Sequence, residues 1–402
     1  MKIGILTFYR TENFGANLQA LSTYKFLEKN GLDPIMIHYM SHEMHSSLEK
    51  SKNLRAQVQA HFDFVDKYLP SQTQLCFNAD DVNKVIALEG IEGVIIGSDA
   101  VVQHHPLLSR IHKGRLNPLI IQKVTPDRLF PNMFWGVGID QHVKKVLMSV
   151  SCQNSEFKFF SPFLKLRMNR ALRNFDYISA RDLWTVKMFQ SIGLKNVERT
   201  PDPVFAFNYN VGDIIPSKEE ILKKFNLPMQ YVLVSLMKQT LSMDCLRGLH
   251  NLFLKDGIEC VSLPMPTGNG FKHPFNHSVN EPLDPLDWYA LIKYSSGYIG
   301  SNMHPVIVSL HNAVPCYSID FWTNKNYFNK VVDDGSSKVE DILKQFELQN
   351  NRSPILSTVC DVLPETIYNA IKTFPREKVK EISLKKYSQY KLMMSKILEK
   401  IV

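Results

Sequence analysis

Four polar clusters hold residues able to bind an anion or move a proton, and each follows a run that reads as a β-strand. In TFYRTENFGANLQ, Asn13, Gly15 and Asn17 stand where a helix begins, and exposed amide groups at such a start attract anions. Asn13 suits a helix cap equally well, and no GxGxxG fingerprint is present. In GSDAVVQHH, Ser98 and Asp99 form a tight turn in which Asp99 either accepts from a sugar hydroxyl or caps the next segment. His104 and His105 are adjacent, so they do not share a helical face, and a paired metal site is not expected. In YISARD, Arg181 either grips a carboxylate or phosphate through its planar fork or pairs with a nearby aspartate. In GYIGSNMHPVIVSLHNAVP, Ser301 or Asn302 is a cap, followed by Met303, and Pro305 suits the first turn. His304 is thereby set at a helix start, where its pKa falls and a bound phosphate would raise it again. That imidazole suits proton transfer, or else it simply occupies the cap region. His311 is read as mid-helical and structural.

The elements that must position these clusters alternate. KIGILT is a strand, NFGANLQALSTYKFLEKNG a helix ending at Gly31, and DPIMIHY a strand: a βαβ unit. EGVIIGSD, KKVLMSVS and YISA continue as strands, with helices over SPFLKLRMNRALRNF and RDLWTVKMFQSIG. Pro201 and Pro203 break the pattern, and a second series runs from YVLVSLM to PCYSID. The expectation is an α/β protein with two doubly wound Rossmann-like domains facing a cleft, over residues 1–210 and 211–375. Ligands of such sheets bind beyond the carboxyl ends of the strands, where all four clusters lie. Residues 376–402 read as a basic amphipathic helix.

The 402 residues carry 47 Lys and Arg against 39 Asp and Glu, a net charge of +8, which fits some anionic partner. The final helix holds eight cations and three acids. It is read as a solvated face in preference to a membrane-surface element. No apolar run is long enough to span a bilayer, and the opening MKIGILTFYR reads as a buried strand, not a signal peptide. The six cysteines are scattered without a CxxC pair, which argues for reduced core thiols and a cytoplasmic setting. The basic residues lack the interleaved aromatics of a nucleic-acid binder.

In their order, NFGANLQAL, GSDAVV, LMSVS, SARD, DPVF and SNMHPVIVSLHNAVP resemble the polysaccharide pyruvyl transferase family over about residues 3–320. The resemblance implies a GT-B-type fold whose terminal helix packs back across the domain junction. It implies an acceptor-side first domain and a donor-side second one. It also implies transfer of the pyruvyl unit of phosphoenolpyruvate to two hydroxyls of a sugar as a cyclic ketal, with release of phosphate and without metal or organic cofactor. The product would belong to a surface polysaccharide, exopolysaccharide or glycolipid. A lipid-linked acceptor would set the protein at the inner membrane face. Arg181 matches the family's donor-binding arginine and His304 its acid. One departure stands out: Asn302 occupies the place of a common arginine. Lys238 is the first candidate to supply the missing charge, with Lys272 and His273 behind it. Asn302 equally permits another donor or a lost activity. Two other readings therefore stand beside the first: a GT-B glycosyltransferase using a nucleotide sugar, and a catalytically silent carbohydrate-binding homologue.

Overall fold

A computed structural model describes residues 1–113, 119–265, 273–320, 324–325, 331–332, 335–355 and 359–402. Two six-stranded parallel sheets organise the chain. The first runs Asp33–Met36, Lys2–Leu6, Ile91–Asp99, Lys144–Val150, Tyr177–Ala180 and Glu198–Arg199 across its width. The second runs His277–Ser278, Glu259–Ser262, Tyr231–Ser235, Gly297–Gly300, Cys316–Asp320 and Arg352–Pro354. Its strand order is 3-2-1-4-5-6 within the sheet, so the order reverses between Tyr231–Ser235 and Gly297–Gly300. In the first sheet the reversal falls between Lys2–Leu6 and Ile91–Asp99. Crevices open at such switch points, and ligands of doubly wound sheets bind there.

The strands are near-continuous apolar runs because both faces of each sheet are covered. Alternation divides the side chains between those faces. Ile95, Val146 and Met148 join the core that includes Met393, Ile397 and Ile401 of the last helix, whereas Val94, Ile96 and Leu147 pack with Phe134 and Trp135 on the other side. Between the second and third strands the chain makes three helices, His42–Leu54, Ala56–Tyr68 and Ala79–Glu89, which the sequence patterns leave unassigned.

The final helix, Arg376–Ile401, closes the first sheet. Ser149 Oγ donates to Met393 Sδ at 3.1 Å, and Ile401 lies against Gly93. Near its start Ser383 Oγ donates to the carbonyl of His311 in the second half at 3.1 Å, so the helix spans the junction. Several of its cations meet protein: Lys396 pairs with Glu198 at 2.9 Å, Lys378 with Glu347, and Lys386 Nζ donates to Gln345 at 2.6 Å. Its apolar stripe is therefore turned inward. No described helix is long and apolar enough to cross a membrane.

The halves also meet directly. Phe14 stacks on Trp288 with centroids 4.9 Å apart, and the Gln57 amide makes two 2.8 Å hydrogen bonds to the Leu283 backbone. His311 ends its helix instead of lying within it. Its Nε2 accepts from the Asn208 amide at 3.3 Å, and burial pushes its pKa down to about 3. All six cysteines are buried and unpaired, and burial pushes the Cys316 thiol up to about 12.

Candidate active site between the two sheets

The sequence Gly297–Gly300 ends its strand at the switch point of the second sheet, and Asn302 caps the nine-residue helix Met303–His311 through its backbone alone. This turn delivers His304 toward the first half. Opposite it begins the helix Phe14–Lys29, whose Asn13 Oδ1 accepts from the Ala16 amide at 3.3 Å. The imidazole rests on Gly15: a Cβ there would meet His304 Cγ at 2.0 Å, Nδ1 at 2.2 Å and Cδ2 at 2.4 Å. Gly15 is thus required by close approach across the domain junction and not by backbone conformation.

From the first half come Arg181, Asp202 and Asp99. Arg181 follows Tyr177–Ala180, and its backbone N–H donates to the Val150 carbonyl at 3.1 Å. One guanidinium nitrogen lies 2.6 Å from Asp202 Oδ2 and the other 3.4 Å from Asp99 Oδ1, and all three side chains are buried. Its sequence neighbour Asp182 is otherwise occupied, accepting from both Thr185 N and Thr185 Oγ1 at 2.7 Å as a helix cap. Gln19 donates to the same Asp202 oxygen, and Val204 N donates to the other at 3.0 Å. Asp99 holds φ +85°, with its carboxylate accepting from the Ala100 amide at 2.7 Å. Burial alone would raise the Asp99 carboxyl. Arg181 beside it, with His304 and Lys338, outweighs burial and holds it below its usual value.

The site therefore contains Arg181 between two carboxylates, which leaves it little net charge to offer. What it retains is donors: its Nε–H is buried with no partner among the described residues. The further cation is Lys338, at the first helical position of Lys338–Gln345, where Ser337 accepts from Glu340 N at 3.1 Å. It faces Arg181, Asp182 and Asp99, and among the described residues it makes no ion pair within 4 Å. Burial, reinforced by Arg181, lowers its pKa. Burial likewise pushes His304 down to about 4, with Arg181 and Lys338 lowering it and Asp202 and Asp99 acting the other way. The free imidazole is neutral near pH 7.

Buried polar atoms almost always find partners. At this end of the sheets several find none among the described residues: His304 Nε2, Arg181 Nε, Ser301 Oγ, Asp182 Oδ2 and Gln19 Oε1. A cavity of only about 20 Å³ adjoins them, lined by Arg181, Asp202, Met303 and Lys338 among others. A larger hollow of about 580 Å³ lies elsewhere, between Phe130, Arg167, Arg170 and the 136–141 turn. Its one carboxylate, Asp140, is engaged with the His142 amide at 2.9 Å, so the chemistry is better placed at the smaller cleft.

The remaining residues singled out in the sequence divide. Asn302 Nδ2 reaches Met265 Sδ at 3.5 Å, and Met303 lines the cleft. Ser98 is structural, its Oγ donating to the Ser149 carbonyl at 2.8 Å. Asn17 Nδ2 is 2.9 Å from His61 Nδ1. Lys238 is exposed after Tyr231–Ser235 and does not line the cavity beside Arg181. His273 is buried, and Lys272 lies outside the described residues. Lys338 was missed, although SKVE at 337–340 carries the Ser-x-x-Glu signature of a helix start.

The two facing parallel sheets define a GT-B-type fold. Solved structures of the same fold include UDP-N-acetylglucosamine 2-epimerase from Rickettsia bellii, 10% identical with a TM-score of 0.54, covering 100% of this chain and 97% of that one. The Neisseria meningitidis UDP-GlcNAc 2-epimerase bound to UDP-GlcNAc is 11% identical with a TM-score of 0.52, covering 99% and 100%. No protein with a curated description matches the sequence. The model of the polysaccharide pyruvyl transferase family matches residues 13–322, and the chain belongs to that family.

Proposed function

We propose that the protein transfers the pyruvyl unit of phosphoenolpyruvate to two hydroxyls of one sugar, forming a cyclic ketal during assembly of a surface polysaccharide or glycolipid. The observation that carries this reading is the meeting of His304 from the second half with Gly15, Asp99 and Arg181 of the first, in a chain of this family. In the proposed reaction the enol methylene gains a proton and becomes a methyl group, and C2 becomes electrophilic. One sugar hydroxyl bonds to C2 and loses its proton. The C2–O bond to phosphate then breaks, and the second hydroxyl closes the ring. The two hydroxyl protons are matched by one gained at the methyl carbon and one carried away on phosphate, so no oxidant or external proton is required.

His304 would carry these protons through its unpartnered Nε2. A bound trianion raises the proton affinity of an adjacent imidazole, so donor binding would supply the protonated form that the free site lacks. Lys338 would take the role that the sequence suggested for Lys238, and Arg181 would contribute its free N–H donors. The boundary near residue 210 would separate the acceptor half from the donor half. A cavity of about 20 Å³ is too small for phosphoenolpyruvate, so the halves would part to admit it.

The test is phosphate release from phosphoenolpyruvate with a panel of glycans and lipid-linked sugars. Release that depends on both acceptor and His304 is expected. A thermal shift with nucleotide sugars and none with phosphoenolpyruvate would replace this reading with nucleotide-sugar transfer.

A further inference from the structure

The strand Ile91–Asp99 leads from the cleft into a segment that returns as an antiparallel pair, Ile111–Lys113 with Leu119–Ile121. Leu119, Ile120 and Ile121 are 64, 51 and 55% exposed. Successive strand residues point to opposite faces, so the strand Leu119–Ile121 is exposed on both sides. Leu107 and Leu108, 52 and 64% exposed, extend the apolar surface at its base. The basic helix Pro162–Leu172 belongs to the same region, with Phe163 69% exposed. The two segments touch: the Arg167 guanidinium stands 5.7 Å over the Phe130 ring, and His104 packs edge-on to Phe160 at 5.2 Å. His104 Nδ1 also accepts from the Phe130 amide at 3.0 Å.

The charge here is one-sided. Residues 107–111, 119–128 and 156–173 together hold eight Lys and Arg against two acids, Asp127 and Glu156. Their excess of +6 is most of the whole chain's +8. Asp127 is buried and bonded to Ser41, and Glu156 lies 3.9 Å from Lys158, so the acids offset little of the surrounding positive charge. Lys123, Arg128, Arg170 and Arg173 are exposed.

We propose that this face, the ribbon about Leu119–Ile121 with Leu107, Leu108 and the basic helix Pro162–Leu172, docks the protein on an anionic phospholipid bilayer. Exposed apolar side chains set among exposed cations match a membrane whose anionic headgroups lie above hydrocarbon. A flat protein partner would cover one side of the ribbon, whereas insertion among lipids covers both. The terminal helix is unsuited to this role, because its apolar stripe is spent on the first sheet. The inference does not depend on the reaction, and vesicle binding is measured without substrate.

The full-length chain is sedimented with phosphatidylcholine vesicles with and without phosphatidylglycerol. Binding to the phosphatidylglycerol vesicles is expected, falling with added salt. The triple variant Leu119→Ser/Ile120→Ser/Ile121→Ser should lose binding by about tenfold or more. Arg170→Gln/Arg173→Gln should weaken it by roughly fivefold for each cation near the surface, on phosphatidylglycerol vesicles only. Leu384→Ser/Leu392→Ser on the terminal helix should bind as the parent does. If the triple variant does not fold, Ile120→Trp should shift its fluorescence to the blue when phosphatidylglycerol vesicles are added. Absence of vesicle binding overturns the proposal, as does binding lost only with the terminal-helix variant, or no shift at Ile120→Trp. A patch that holds two copies of the chain together and ignores vesicles overturns it as well.

Discussion

Replacing Gly15 with alanine separates the proposed site from the fold that carries it. In an ordinary helix the change would help, since alanine is favoured over glycine by up to about 1 kcal/mol. Here the new methyl would sit 2.0–2.4 Å from three ring atoms of His304, where ordinary contact begins near 3.4 Å. The imidazole must retreat by roughly 1.5 Å, and a displacement of about 1 Å at a reacting group costs on the order of a hundredfold in rate. Crowding of this kind destabilises by about 1–3 kcal/mol, offset in part by the helix gain, so a net loss of roughly 0–2 kcal/mol is expected. Gly15→Ala should therefore melt near the parent temperature yet release phosphate from phosphoenolpyruvate about a hundredfold more slowly. Combining it with His304→Ala removes the clash, so stability should recover by about 1–3 kcal/mol while activity stays lost. Urea titration of the four members of this cycle, alongside phosphate release, tests both halves of the argument. Parent-level turnover in Gly15→Ala, or no stability recovered in the double variant, would refute it.

Lys338→Met should raise the phosphoenolpyruvate KM by about ten- to a hundredfold, the scale of one hydrogen bond to a charged group, while Lys238→Met leaves it unchanged. Equal effects of the two would return the anion site to Lys238. Asp202→Asn strips the closer carboxylate from the buried Arg181 and should cost about 3 kcal/mol of stability by urea denaturation. Proton NMR of His304 should show its pKa rising from about 4 when inorganic phosphate is added; an unmoved titration would place the anion elsewhere. His61 and His311 are pushed by burial to about 4 and about 3, below their ordinary 6.5. The unfolded chain therefore binds these protons first. Stability should be full above about pH 6.5 and fall as the pH drops, each histidine contributing up to about 1.4 kcal/mol per unit. Urea midpoints that do not move between neutral pH and pH 5 would contradict this.

How much of the molecule can be read from its residues depends on how local the governing physics is. The runs KIGILT, VIIG and YVLVS become buried parallel strands because their apolar content is itself the cause of burial. Asn13, Ser161 and Asp182 begin helices because each side chain bonds an amide two or three residues on, and Gly31 lies just beyond its helix because φ +74° costs glycine little. The ordered motifs at strand ends were legible for the same reason, since the carboxyl ends of parallel strands share one edge by topology. Ser41 and Asn78 give the same cap signal for two of the three helices in 42–89, and Gly90 ends the last of them, yet those helices lie outside the strand-end motifs and went unassigned.

What the sequence by itself determined is thus the pair of doubly wound sheets, the family, and the strand ends where polar residues gather. Tertiary structure alone decided which of those residues meet. Gly15 looks like any small residue at a helix start until His304 arrives from the far end of the chain to occupy the space of its missing Cβ. Arg181 reads either as an anion-binding cation or as the partner of a nearby aspartate, and only the fold shows that its partners are Asp202 and Asp99 and not the adjacent Asp182. SKVE places Lys338 at a helix start, as YVLVSLMK places Lys238 after a strand, but only packing sets Lys338 against the Arg181 cluster. The physical reason is common to all three. Burial and close approach depend on what the other half of the chain brings, and no local pattern encodes a distance across a cleft.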